Sequence, residues 1–352
     1  MAHATWVWAL FWWASAVFSA LVIFNIAASL LYPIVYPVGK RAGDAKIDNY
    51  LVVVVTVGTP SVLPSLREVV DNLKRLGLRF VVVSSNPLPL EGADVLLVPR
   101  EEDGTKYRSI RWFVKNYARD DTWYVFLDDD SYPLDDNFLR EIPYWERRGR
   151  LIGNGLVVPR LGRSRIAYAV DWVRYFDGLT RYRSTHLLGL PIYGLHGELL
   201  IIRGDVLKRL WPSMPESVTE DFMLAMFAIR HGIKTFQVST RVSIKSPNSL
   251  RDLFRQRRRW GHVVVDAVRT GNVVVIAFLA TGILSSPLFA WAWPHTSVIS
   301  IVAGAYYITA YLYGSIKARV NPIATFLASL VDLTGLLSGM TRQMRFTVID
   351  KT

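Results

Sequence analysis

The chain contains no cysteine, so no disulfide framework holds it, and this fits a protein working on the reducing side of a membrane. It has no Gly-x-x-x-x-Gly-Lys stretch, which excludes a P-loop phosphotransferase. Internal repeats, low-complexity tracts and long linkers are absent too, and glutamine is scarce, as in proteins of hot habitats. The opening residues "MAHAT" lack the basic start of a cleaved signal peptide, and the apolar stretch behind them outruns the roughly 7–15 residues of a signal-peptide core. The first segment is therefore expected in the mature protein.

What is plentiful is apolar sequence and positive charge. Hydrophobic residues make up 51% of the 352, more than in an ordinary soluble domain, and the formal net charge is +12. The apolar excess sits in runs at 5–38, where Asn25 is the strongly polar side chain, and at 273–293 and 297–315, joined by "PHTS". Such runs match the roughly 20 residues of a spanning helix. Lys40, Arg41 and Lys46 follow the first, Arg269 precedes the second, and Lys317 and Arg319 follow the third, so the positive-inside rule places 44–271 in the cytoplasm. The expected organisation is a transmembrane helix and connector (1–39), a cytoplasmic domain (44–260), an interface segment (261–272), a transmembrane hairpin (273–316), and an interfacial helix with a cytoplasmic tail (322–352). The interface assignment rests on a narrow stripe of Thr325, Ser329, Asp332 and Gly335 at helical spacing. A fourth span there would put Arg342, Arg345 and Lys351 outside. Ionisable residues are almost missing from the apolar runs, which argues against a transporter.

Within 44–260 the pattern alternates. Continuous β-branched or apolar runs at 50–57, 79–86, 94–99 and 122–127 predict strands, and helical spacing at 61–78 and 107–118 predicts helices. Alternation implies an α/β fold with a parallel sheet covered on both faces, and ligands of such sheets bind beyond the carboxyl ends of the strands. The fourth strand ends in "DDD", Asp128, Asp129 and Asp130. Three aspartates there make either a solvated turn that caps the next helix or a hard-oxygen site for Mn²⁺ or Mg²⁺. "TED" sets Glu220 and Asp221 on the first turn of a predicted helix, where capping alone would account for them. "LRDLFRQRRRW" (250–260) is a basic helix beside an apolar run, suited by itself to anionic lipid heads.

In this order, "DDD", "TED" and "QRRRW" resemble the constellation of membrane-bound family 2 glycosyltransferases, the group that includes cellulose, chitin and hyaluronan synthases. "GLHGELLIIRGDV", "TEDFMLAMFAIRHG" and "SPNSLRDLFRQRRRW" are similar to the branch of animal glycolipid β-mannosyltransferases. The resemblance implies a Rossmann-like nucleotide-sugar domain of GT-A type carrying transmembrane helices. It further implies an inverting, metal-dependent transfer of one mannose from GDP-mannose to a lipid-linked acceptor at the cytoplasmic face of the bilayer.

On the same resemblance, Asp130 and Asp128 would hold Mn²⁺ or Mg²⁺ and the donor, and Asp221 would be the general base. Lys106 and Arg259 would meet the donor diphosphate. Thr56, Thr59, Pro60, Ser84 and Ser85 would surround the nucleotide. Gln256, Trp260, His196 and Glu198 would face the acceptor. One departure stands out: the family's acidic residue after the second strand is replaced by "SSN". Rival readings are a UDP-sugar donor, a processive polysaccharide synthase, whose polymer path three spans can hardly enclose, and a metal-dependent lipid phosphotransferase. Nucleic acid is not expected as a partner, because basic residues near spans and diphosphate sites explain the positive charge more simply.

Overall fold

The computed structural model describes residues 43–272 and 298–340, together with 9, 13, 20, 23–28, 30, 31, 34, 275 and 276. The expected spans at 5–38 and 273–293 lie largely outside the described residues, and so does the tail beyond 340.

The strands are β1 (Tyr50–Thr56), β2 (Phe80–Ser84), β3 (Val95–Leu97), β4 (Trp123–Asp128), β5 (Ser131–Pro133), β6 (Arg150–Arg160), β7 (Leu200–Arg203) and β8 (Lys234–Lys245). The helices among the described residues are α1 (Leu63–Arg75), α2 (Lys106–Tyr117), α3 (Phe138–Glu146), α4 (Arg165–Asp177), α5 (Arg183–Leu188), α6 (Gly204–Leu210), α7 (Glu220–Arg230), α8 (Leu250–Trp260), α9 (His262–Thr270), α10 (Val298–Ala318) and α11 (Pro322–Gly339). The strands form one sheet in the order β3-β2-β1-β4-β7-β6-β8-β5.

The half built from β1 to β4 is parallel, as the alternation predicts. The other half corrects the expectation of a parallel sheet, because β7 runs antiparallel to both β4 and β6, and β5 antiparallel to β8. β6 and β7 carry little periodic signal: β6 is "RLIGNGLVVPR", interrupted by glycine and proline, and β7 has four residues. Pairing with neighbours, rather than local propensity, makes them strands.

Alternate strand residues feed two core layers. Val53, Val55, Val81 and Val83 pack under α2 with Phe113, Trp211 and Phe222. Val52, Val54 and Val82 pack under α1 and α3 with Leu66, Leu73, Phe138 and Trp145. Burial on both faces explains why β1 reads as an unbroken valine run.

α10 and α11 lie against the domain. Tyr313 of α10 meets Trp172 and Tyr175 of α4 at ring-centre distances of 5.9 and 6.3 Å. The outer faces stay apolar and exposed, with Ile308, Leu312 and Ile316 on α10 and Ile323, Leu327 and Leu337 on α11. Among the described residues α11 is the one helix long and apolar enough to cross a membrane, by length and composition. Its stripe of Thr325, Ser329 and Gly335 is buried, so these positions face protein rather than lipid headgroups. Ser315 donates to Thr325 Oγ1 at 2.9 Å, and Asp332 pairs with Arg257 of α8. Asn25, the polar residue of the first apolar run, is buried as well and accepts from Ser184 Oγ at 2.6 Å.

Candidate active site

Parallel β1 and β4 finish at the same edge, with Val55 in register with Asp128, and the chain turns there through Asp129 and Asp130. Thr56 Oγ1 donates to Asp129 Oδ2 at 2.6 Å, so the residue the motif leaves variable is tied to the end of β1. Asp130 is buried. Asp128 pairs with the ammonium of Lys106, which opens α2 and also reaches Glu220 at 3.0 Å. Burial alone would lower the Lys106 ammonium, but Asp128, Glu220 and Asp221 together hold it well above its ordinary range.

Asp221 sits on the first turn of α7. Its Oδ1 accepts from the Phe222 N–H at 2.8 Å and its Oδ2 from the Gly197 N–H at 3.0 Å. Burial, then Glu220 and Glu198, raise its carboxyl against the pull of Lys106, to about 7. Gly197 comes so close that a Cβ there would stand 2.6 Å from Lys106 Nζ and 3.5 Å from Asp128 Oδ2. A side chain there would have to push the end of Lys106 aside, so the glycine keeps this segment close to the lysine and both acids. The loop before α7 is fixed from α9: Ser217 and Thr219 both donate to the fully buried Asp266, the latter at 2.7 Å.

The residues flanking Gly197 lead to α8. His196 exchanges hydrogen bonds with Asn154 through its backbone and packs against Tyr182, the rings tilted by 36° with centres 4.2 Å apart. Burial, and then Arg174, push the His196 imidazole well below its ordinary range, so it is neutral. Arg174 of α4 lies 3.4 Å from both His196 Nδ1 and Glu198 Oε1, and its guanidinium sits 4.4 Å from the centre of the Trp260 ring. Gln256 is buried, while Arg259 and Trp260 are partly exposed. The structure thus gathers Lys106, Asp128, Asp221, His196, Glu198 and Trp260 into one continuous set of contacts. Arg174, the link in the middle, was missed by the sequence reading, because nothing in "DWVRYF" sets it apart from an ordinary helix charge.

At the strand ends, Ser84 is buried and donates to Asn86 O at 2.6 Å. Thr59 shares a 3.0 Å hydrogen bond with Ser61, and Pro60 is exposed; neither touches the acids. A carboxylate from another loop does reach the end of β2, for Ser85 Oγ donates to Asp103 Oδ1 at 2.5 Å. Sequence spacing gave no sign of this, because 18 residues separate the pair.

Among the described residues no group of three or more His, Asp, Glu or Cys side chains forms a ready ligand set. The donors present nevertheless fit a Mn²⁺ or Mg²⁺ ion. They are hard carboxylate oxygens at a strand end that already draws in the Lys106 ammonium, and such ions are commonly held by one or two carboxylates plus substrate phosphates.

Residues 123–329, more than half of the chain, match the model for glycosyl transferase family group 2. The beta-1,4-mannosyltransferase bre-3 of Caenorhabditis elegans is 21% identical over 371 residues, covering 96% of this chain and 75% of the relative. Its counterpart in Caenorhabditis briggsae is 22% identical over 210 residues, 56% of this chain and 46% of that one. Among solved structures, the mannosyltransferase PcManGT of Pyrobaculum calidifontis, in complex with GDP-Man and Mn²⁺, superposes with a TM-score of 0.53 at 15% identity, over 93% of this chain and 97% of that one. That likeness is one of fold, and the fold is of the GT-A type.

Proposed function

The chain belongs to glycosyl transferase family group 2, and from that premise we propose that it moves a single mannose from GDP-mannose to a lipid-linked acceptor at the cytoplasmic face of a bilayer, with inversion. The observation that carries the reading is the pair of acids on either side of Gly197: Asp128 with its lysine on the donor side, and Asp221 with a carboxyl raised to about 7 on the other. One acid held by a cation and one made basic are what a displacement at an anomeric carbon requires. The mannosyl donor is favoured by the sequence likeness to beta-1,4-mannosyltransferases and the fold shared with an enzyme solved with GDP-Man.

In this mechanism Asp221 takes the proton of the acceptor hydroxyl as its oxygen attacks, and the Gly197 N–H fixes the carboxylate that does so. Asp128 and Asp130 would hold Mn²⁺ or Mg²⁺, which supplies Lewis-acid stabilisation of the departing diphosphate. Lys106 and Arg259 add positive charge to the same side. Gln256, Trp260, His196 and Glu198 line the acceptor side. The exposed apolar faces of α10 and α11 would lie in or on the bilayer, bringing a lipid-linked acceptor to α8.

The test is transfer of label in detergent-purified protein, with Mn²⁺ or Mg²⁺, a membrane lipid extract, and labelled GDP-mannose or UDP-sugars in separate reactions. Wild type is expected to label lipid from GDP-mannose, and Asp221→Asn to lose about 10²–10⁴ of that rate. Transfer from a UDP-sugar alone would discard the mannosyl donor, and an equally active Asp221→Asn would move the catalytic centre elsewhere.

A further inference from the structure

The arginine next to Gln256 is more constrained than an exposed basic helix would need. Arg257 is 2% exposed. Its Nε donates to Asp332 of α11, its Nη2 to Asp171 of α4 at 3.0 Å and its Nη1 to Gln256 Oε1 at 2.7 Å. The same guanidinium sits 4.0 Å from the centre of the Trp260 ring. Three nitrogens of one rigid plane thus have three different acceptors, and the plane lies against the ring three residues on. Two carboxylates facing one buried guanidinium compensate its desolvation.

The helices that supply those carboxylates leave little slack. A Cβ on Gly335 would come within 2.8 Å of Arg257 Cβ, and a Cβ on Gly261 or Gly339 would overlap the facing backbone, so α8 and α11 touch main chain to main chain. α11 therefore holds Asp332 at a set height along α8. The Gln256 carbonyl oxygen accepts from Arg257, and that bond sets which way the amide faces.

We propose that Arg257 is a positioning residue for acceptor transfer: anchored by Asp171 and Asp332, it orients the Gln256 amide and the Trp260 ring, so that α11 governs how the acceptor is held. The inference rests on the reading of Gln256 and Trp260 as acceptor contacts. A lysine keeps the charge but has no fork to bridge three acceptors and no plane to lay on the indole. Asp332 is the accessible end of the network, with a side chain 27% exposed, so Asp332→Asn removes one of the two charges that anchor the arginine, leaving the helix packing in place and Asp171 still paired with it.

The experiment compares wild type, Arg257→Lys and Asp332→Asn, all full-length in detergent. It reads thermal unfolding, GDP binding, and the division of label from GDP-mannose between water and the lipid extract. The expected result for both variants is GDP binding within about twofold of wild type, hydrolysis nearly unchanged, an apparent acceptor KM raised about tenfold, and transfer relative to hydrolysis lowered by a similar factor. Should Arg257→Lys fail to fold, Asp332→Asn decides alone. An unchanged ratio of transfer to hydrolysis in folded Asp332→Asn overturns the proposal, and so does a loss of GDP binding and hydrolysis in step with unfolding, which marks a purely structural arginine. If wild type takes only a UDP-sugar, the donor assignment fails and the same ratio, read with that donor, still judges Arg257. No labelled lipid from any donor would overturn the acceptor reading and this inference with it.

Discussion

As the proposed base, Asp221 must lose its proton before it can accept one, and burial beside Glu220 holds that proton to about 7. Below that value the carboxyl is neutral and cannot act; above it the carboxylate is in place. With donor and ion present, kcat/KM is therefore expected to rise with pH through about 7 and then level. Lys106, held well above its usual 10.5, stays charged throughout and adds no falling limb. A profile flat from pH 5 to 8 would contradict the assignment. Asp103 carries a second prediction. A carboxylate at the end of β2 can accept from two adjacent N–H donors on guanine but from only one on uracil. Asp103→Asn is expected to weaken GDP binding by about 10- to 100-fold, the range of hydrogen bonds to a charged group, and to weaken UDP binding less. Titration calorimetry with both nucleotides checks this, and equal losses would place the base elsewhere.

Between elements, the site depends on α8 and α9 as much as on the sheet. Asp266 reaches from α9 to Ser217 and Thr219, so the helix after "QRRRW" braces the loop that delivers the base. Asp266→Ala leaves two buried hydroxyls without their acceptor. It is expected to lower unfolding stability by about 2–3 kcal/mol and to reduce transfer more than GDP binding. Chemical denaturation beside a GDP titration reads the two effects; unchanged stability would show that the hydroxyls find other partners. The elements that sequence made plain are those with strong periodicity: β1, β2, β4, α1, and α8 to the residue. β6 went unread because glycine and proline interrupt it, and it is held as a strand by pairing with β8 over many residues; β8 does alternate, through Phe236, Val238, Val242 and Ile244, and was legible.

For the whole molecule, the proposal that the apolar faces of α10 and α11 meet a bilayer can be tested directly, and the missing cysteine becomes an advantage. A single cysteine at Leu327, exposed on the outer face of α11, can carry an environment-sensitive dye without competition. In anionic vesicles its emission is expected to shift to the blue and to be quenched by spin-labelled lipid, whereas a dye on Glu91→Cys, in the loop between β2 and β3, keeps its emission in water. A water-like signal at Leu327 would mean that another protein surface covers this face. The polar stripe on α11, which helical spacing assigns to the headgroup boundary, turns inward to Ser315 and Arg257 instead. The apolar remainder is what faces out.

By itself the sequence determined the parallel half of the sheet, the acids at the end of β4, the acidic start of α7 and the basic helix α8, because each is encoded within a few neighbouring residues by apolar runs, capping chemistry or charge. Only the tertiary structure decided that one glycine backbone lies beside Lys106, Asp128 and Asp221, that Asp103 meets Ser85 at the end of β2, that Arg174 of α4 lies over Trp260, and that Arg257 takes Asp171 of α4 and Asp332 of α11. Those contacts span from 18 to more than 80 residues of chain. No local pattern specifies them, because they exist only once both core layers have closed around the sheet and brought the buried charges within reach of their partners.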